Sequence, residues 1–543
     1  MTTDLTFNLA DLWEAVVDRV AEREAFVCGS QRRTYAELEE RSNRLAHALL
    51  QRGISPGDHV GLHLRNGSEY LEGMLAAFKI RAVPINVNHR YVADELRHLY
   101  RDSGVVATVV HHEFLDRARE VQGECPELRL LIGVDDDTGA VSADEGLERY
   151  EDVLASSSPD RSFGPRSGDD RYIIYTGGTT GLPKGVVWRQ EDAFFACIGG
   201  GDPMRLMGPV TEPHEVLDRI IDGTFVFFPL APLMHAAAQW TSFSWFLAGG
   251  KVVLWPGSLD PLAVWETVRD EGVNALVFVG DAVARPMLDA WDASGGLELP
   301  SLLSLSNGGA PLTPALKDRI SRSFPAVALV DGFGSSETGA QGAQRLAAGD
   351  TTGGVTRFTP YGETTAVLDE ATLARVAPGS GVVGRVALRG RLPLGYHNDP
   401  DKTAATFVEV DGERWVLTGD MAVVEDDGSI TLLGRGSGCI NTGGEKVFPE
   451  EVEAVLKAHP GVYDSVVVGV DDPRWGQAVT AVVQSVDPDD PLSDLDRHCR
   501  AHLAGYKVPK RIVRVDTIER SPAGKADYRW AARVAAPVDR VEA

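Results

Sequence analysis

Along the N-terminal half of the chain, apolar positions switch repeatedly between a helical and a strand period. Thr34-Tyr-Ala-Glu37 has the spacing of a capping box, Leu38, Leu45 and Leu49 then share one face, and Gly53 stops the run. Residues 58–64 read as a strand, residues 69–80 as a helix, and Val83-Pro-Ile-Asn86 and residues 105–110 as further short strands. This alternation predicts a large, parallel, layered α/β domain. Apolar runs at 172–175, 224–228, 276–280, 302–305 and 328–331 predict further buried strands, several of them ending in glycine loops. Near the C-terminus, Pro449 with Glu450 and Glu451 opens a helix over 450–459. Strands follow at 465–470 and 478–484, which predicts a second, small α/β domain.

Residues 224–250 hold no charged side chain except His235, enough length on paper to cross a bilayer. Pro229, Pro232, Gln239, Thr241, Ser242 and Ser244 interrupt the run, which fits a buried strand, a turn and a buried helix instead. The polar residues 209–222 read as an exposed insertion.

At 543 residues the chain exceeds what one core serves, so at least two domains are expected. With 53 basic and 79 acidic residues the net charge is −26, which disfavours nucleic acid and anionic membrane as partners. A polyanionic substrate must then be met by local positive charge. The five cysteines, at 28, 125, 197, 439 and 499, form no CxxC, which argues for a reducing cytoplasm and against a disulfide or zinc framework. The first ten residues lack a basic stretch followed by an apolar core, so no signal peptide is expected.

The chemistry concentrates in Tyr175-Thr-Gly-Gly-Thr-Thr-Gly-Leu-Pro-Lys-Gly185, directly after a predicted strand. Gly177, Gly178 and Gly181 let successive N–H groups turn toward one anion. Thr176, Thr179 and Thr180 add hydroxyls, and Lys184 adds charge. An ordinary glycine-rich turn needs neither the threonines nor the lysine, so the stretch reads as a polyphosphate loop. It is not a Walker A loop, because Lys184 follows Leu-Pro and Gly185 stands where Ser/Thr would hold magnesium.

This stretch resembles the phosphate loop of the adenylate-forming superfamily, which includes acyl-CoA synthetases, peptide-synthetase adenylation domains and luciferases. Gly177 stands where serine is common. Four further motifs follow in the family's order, and the resemblance covers about residues 10–530. Gly308-Gly-Ala310, from Gly308 through Gly309, and Asp331-Gly332-Phe333-Gly334-Ser335-Ser336-Glu337 resemble the adenine-flanking segments, with Ser336 near the phosphates and Glu337 on Mg2+. Asp420 and Arg435 stand where the family holds ribose. Gly436 and Ser437 match the hinge, although Ser437 and Gly438 depart from its usual residues. Gly443, Gly444 and Glu445 match a CoA-facing loop, and Ser521-Pro-Ala-Gly-Lys525 matches the segment bearing the catalytic lysine. His235 stands where the family has a histidine or aromatic residue beside the acyl pocket; the residue alone reads equally as a core histidine. The following Ala236-Ala-Ala238 would leave room for a bulky apolar group.

The resemblance implies an ATP-binding and acyl-binding domain over 1–435 and a mobile domain over 436–543. The implied reaction forms acyl-AMP from a carboxylic acid and ATP with loss of pyrophosphate, then transfers the acyl group to CoA. Lys525 would neutralise charge in the first step, and rotation about 436–438 would bring 443–445 to the CoA tunnel for the second. Trp188-Arg-Gln-Glu-Asp192, Gly177-Gly178 and Ser335-Ser-Glu-Thr338 look most like actinobacterial fatty-acid and steroid-side-chain CoA ligases. Loading of a separate carrier protein or another nucleophile is the alternative, and a homodimer is allowed.

Overall fold

The computed structural model describes residues 5–144, 146–177, 182–352, 356–442, 445–520 and 525–536. Gly178, Thr179, Thr180, Gly443 and Gly444 lie outside the described residues, as does the side chain of Ser437.

Two wide sheets form the bulk of the chain. The first runs, in spatial order, Gly395–Tyr396, Lys184–Arg189, Arg171–Thr176, Val83–Asn86, His59–His63, Val105–His111, Leu130–Val134 and Leu147–Arg149. The second runs from Thr359–Pro360 through Gly339–Leu346, Ala328–Ser335, Ser304–Asn307, Ala275–Phe278, Val226–Pro229 and Lys251–Leu254 to Glu24–Cys28 and Gln31–Thr34. Their central strands pair in parallel, and the two sheets bury faces against the helices Leu9–Val20, Tyr35–Gln51, Ser68–Lys79 and Ala236–Leu247. Thr34 caps the helix Tyr35–Gln51 in a full capping box with Glu37, and Gly53 adopts a left-handed φ of 76° just beyond its end.

The parallel reading holds for the strands at 59–63, 83–86 and 105–111, and three features elsewhere in the chain add to it or depart from it. A third sheet, built from Thr365–Leu368, Gly384–Arg389, Phe407–Val410, Glu413–Val424 and Ile430–Arg435, is wholly antiparallel. The phosphate stretch joins two antiparallel neighbours, with Thr176 opposite Lys184 and Tyr175 opposite Gly185, so it closes a hairpin. The strand Ala328–Ser335 runs straight through Gly332-Phe-Gly334, which was expected to be loop, and only residues 336–338 turn. Glycine composition there reflects close packing: a Cβ on Gly334 would sit 2.1 Å from the Gly339 carbonyl oxygen.

Residues 209–222 are not a free insertion. Val210 and Val216 join the main core, and the 3-10 helix Pro213–Arg219 is carried with them. Residues 224–250 fold as the strand Val226–Pro229 and the buried helix Ala236–Leu247. Among the described residues no helix is long and apolar enough to cross a membrane. None of the five cysteines is in a disulfide, and all but Cys439 are buried.

The C-terminal body has its own sheet, in which Val462–Asp472 and Gly476–Ser485 pair along their length and Arg511–Val515 adds in parallel. The helix Pro449–Ala458 packs on it through Val452 and Leu456, with Pro449 at its first position.

Candidate active site

A cleft of about 970 Å³ opens between the antiparallel third sheet and the C-terminal body. Ser335, Glu337, Asp420 and Arg435 line one side; Glu445 and Lys507 line the other. Lys525 enters the same electrostatic neighbourhood: Arg435 lowers its pKa, while Glu337 and Asp420 pull it back up. Desolvation is the largest cause and leaves the amine below its ordinary value.

Each wall residue is positioned by pairing. Asp420 lies within the long strand Glu413–Val424, not at a strand end as its sequence suggested, and its register places it directly across from Arg435. The two side chains approach to 3.4 Å. Glu337 sits in the turn after Ser335, where its own N–H donates to Ser335 Oγ at 3.2 Å and Ser335 N–H donates to Thr338 Oγ1 at 2.9 Å. Trp188 Nε1 donates to the Ser336 carbonyl at 3.0 Å, which fixes the turn against the first sheet. Tyr396 hydroxyl donates to Glu337 Oε1 at 2.8 Å. Burial, and after it the Glu337 carboxylate, raise the tyrosine pKa, so the phenol remains a donor.

Asp331 has a different task. Its carboxylate is buried, accepts from Asn307 Nδ2 at 2.7 Å and pairs with Lys317 Nζ at 2.5 Å. That side chain is occupied beneath the strand, so only its backbone can address a ligand. Gly309 takes a φ of 84°, and the segment Gly308-Gly-Ala310 is tied by Asn307, whose amide donates to the Ala310 carbonyl at 2.9 Å.

Of the phosphate stretch, Thr176, Gly177 and Lys184 are described. Lys184 Nζ lies 3.3 Å from Asp399 Oδ2 and close enough to Lys402 to lower the latter's pKa. Two cations thus share this mouth with one carboxylate. Behind it, Tyr175 hydroxyl donates to Asp102 at 2.6 Å and His98 Nε2 meets the Pro183 carbonyl at 3.1 Å.

His235 precedes the helix Ala236–Leu247. Desolvation, with smaller effects from Lys525, His89 and Arg90, pushes its pKa down to about 4, so the ring is neutral at pH 7. Its Nε2 is buried without a hydrogen-bond partner among the described residues. Ala236 and Ala238 are packed into the core and only Ala237 is exposed, so the alanine run does not itself form an open pocket.

Several supporting residues carry no chemistry that the sequence assigns. Asn86 Nδ2 donates to the carbonyls of Tyr175 and Met234, both at 2.8 Å, and its Oδ1 accepts from Tyr175 N–H at 2.7 Å. One amide therefore joins the phosphate hairpin to the His235 segment. Tyr396 and Lys402 lie in a stretch with no motif, and only the fold brings them to Glu337 and Lys184.

A family profile described as AMP-binding enzyme matches residues 13–397, and one described as AMP-binding enzyme C-terminal domain matches residues 451–525. The chain belongs to this family, the adenylate-forming enzymes. It is 44% identical over 99% of its length, and 98% of the relative's, to a medium/long-chain-fatty-acid–CoA/3-oxocholest-4-en-26-oate–CoA ligase of Mycolicibacterium smegmatis. A 3-oxocholest-4-en-26-oate–CoA ligase of Rhodococcus rhodochrous is also 44% identical, over 97% of this chain and 96% of its own. A fatty acid–[acyl-carrier-protein] ligase of Streptomyces coeruleorubidus is 31% identical over 92% of this chain and 91% of its own. The fold is similar to that of an anthranilate CoA ligase in complex with anthranoyl-AMP, with a TM-score of 0.84, 23% identity and 98% of each chain covered.

Proposed function

We infer that the chain is an ATP-dependent, AMP-forming acyl-CoA ligase whose acid is a medium- or long-chain fatty acid or a steroid bearing a carboxylated side chain. The observation that carries this reading is the convergence of Glu337, Asp420 and Arg435 on one cleft, with Lys525 within electrostatic reach of all three. Full-length identity to the two actinobacterial ligases supports the acid class.

In the first half-reaction the substrate carboxylate attacks the α-phosphorus of ATP and pyrophosphate leaves. The chain's work is positioning and charge neutralisation. Lys525 donates to the oxygens on which charge builds, and Asp420 accepts from the ribose hydroxyls beside Arg435. Thr176, Gly177 and Lys184, with Gly178, Thr179 and Thr180, hold the outer phosphates. The backbone of 308–310 and 331–336 flanks the adenine. The neutral His235 ring offers the acid a hydrogen bond without adding charge.

Glu337 suits a magnesium ion: Tyr396 occupies one carboxylate oxygen, the other can face a cation, and phosphate oxygens and water complete such a shell. A bound magnesium ion would neutralise phosphate charge. In the second half-reaction the body beyond Arg435 turns about 436–438, Lys525 leaves, and residues 443–445 line the approach of the CoA thiol to the acyl carbon. On this reading the domain boundary falls at 435/436, and the use of ATP and CoA as co-substrates fits an enzyme of the cytoplasm.

The test is pyrophosphate release and thioester formation over a panel of acids, with and without CoA. CoA-dependent acyl-CoA formation from palmitate or a steroid side-chain acid is the expected result. Pyrophosphate release without thioester would transfer the second step to a carrier protein or another nucleophile.

A further inference from the structure

The C-terminal body meets the large part of the chain through a buried polar cluster that the mechanism above does not use. Asp281 stands in the first turn of the helix Gly280–Ser294 and is 5% exposed; Lys457 ends the helix Pro449–Ala458 and is 8% exposed. Lys457 Nζ lies 3.3 Å from Asp281 Oδ2 and 3.6 Å from Asp464 Oδ1. Asp464 in turn accepts a two-pronged contact from Arg520, with Nε at 2.7 Å and Nη2 at 2.6 Å. Arg520 is five residues before Lys525. Asp281 is itself held, since its Oδ1 accepts from Thr313 N–H at 2.8 Å. One helical turn on, the Arg285 guanidinium lies over the Tyr463 ring, 5.3 Å from its centroid.

We propose that Asp281, Lys457, Asp464 and Arg520 form a latch that holds the C-terminal body in the orientation presenting Lys525 to Glu337, and that must open for the thioester half-reaction. The proposal rests on the two-step reading above. Its physical basis is the kind of contact. An Asp281–Lys457 pair shut away from water is geometrically demanding, so it defines one orientation rather than a range. Its partners are also readily rehydrated on separation, unlike an apolar interface, so the body can leave without exposing a sticky face. The fork from Arg520 to Asp464 anchors the chain five residues before Lys525.

Asp281→Asn keeps the shape and the Thr313 contact while removing the charge, and Lys457→Met removes the other partner. Two half-reactions are to be followed separately: ATP–pyrophosphate exchange with palmitate, and thioester formation from prepared palmitoyl-adenylate plus CoA. Both variants should lose roughly tenfold in exchange and keep or gain rate in the thioester step, and the double variant should be no worse than either single one. Equal losses in both steps, or unchanged exchange, would overturn the latch. An activity-independent measurement uses spin labels on Ser294→Cys and Asp489→Cys, both on exposed positions. A second distance population in Asp281→Asn that the parent lacks supports the latch; identical distributions refute it. Absence of exchange in the parent would count against the proposed function, while the distance measurement would still decide the latch.

Discussion

Glu337 and Lys525 lie within electrostatic reach of one another, in regions that are secured in different ways. Around Glu337, the turn 336–338 is fixed by its own Thr338 and by Trp188, Ser335 and Tyr396, residues drawn from both wide sheets. Beneath it, Lys317 ties Asp331 to Gln344 and Thr356, at 2.8 Å in each of the last two contacts. On the side of Lys525, the contacts of the C-terminal body with the large part of the chain include Asp281 with Lys457, the stacked pair Arg285 and Tyr463, and the Arg435 N–H donated to Glu450. The first region is woven into sheets and cannot move without breaking them. The second is fastened by polar groups that water can replace, which suits a part that serves one step and then withdraws.

The comparison breaks most visibly if the buried lysine is removed from the fixed wall. Lys317→Ala leaves the buried Asp331 carboxyl without its cation, with Asn307 still donating to it, and should cost about 4 kcal/mol of stability, read as a shift in denaturant midpoint. Lys525→Ala should leave that midpoint in place yet slow adenylate formation by roughly 100- to 1000-fold, measured as pyrophosphate release. If Lys525→Ala also unfolded the protein, the contrast between the two lysines would be wrong. Asn86→Leu tests the bridge behind the wall. It strands the Tyr175 N–H and two carbonyls, and should cost about 2 kcal/mol and raise KM for ATP, because the hairpin loses its tether to the His235 segment. Tyr396→Phe removes a single hydrogen bond to Glu337 and should lower kcat several-fold, about 1 kcal/mol, with no change in melting temperature.

The smallest effect at neutral pH, and the one that emerges on acidification, concerns His63. Its ring stacks on Phe114 at 4.8 Å, both nitrogens are buried without hydrogen-bond partners among the described residues, and burial pushes its pKa down to about 3. His89, Arg117 and His111 add to that depression. The unfolded chain takes up this proton near pH 6.5 and the folded chain does not, so stability is lost as pH falls from about 6.5 toward 3. His63→Phe should change stability at pH 7 by no more than about 1 kcal/mol and flatten the acid limb of the denaturation profile.

Much of the local architecture was legible without coordinates. The capping box at Thr34, the strand Val83–Asn86, the proline start of the helix Pro449–Ala458 and the strand–helix reading of residues 224–250 depend on periodicity and backbone chemistry, which are local. The candidate motifs were legible too, because glycine, threonine and lysine at such spacing have few other uses. Where reading failed, long-range pairing was responsible. Gly332-Phe-Gly334 looks like loop but is strand because Gly339–Leu346 runs beside it, and Asp420 looks like a strand end until Ile430–Arg435 is laid against it. Residues 209–222 look free until Val210 and Val216 find the core.

The sequence by itself determined which residues could do chemistry, since side-chain type and neighbour spacing are local properties. Only the tertiary structure decided that Asp331 spends its carboxylate on Lys317, that Tyr396 and Trp188 support the turn bearing Glu337, and that Asp281 reaches Lys457 across 176 residues of chain. Those pairings depend on sheet register and on how the C-terminal sheet and its helices meet the rest of the chain, and neither is encoded in any short stretch of sequence.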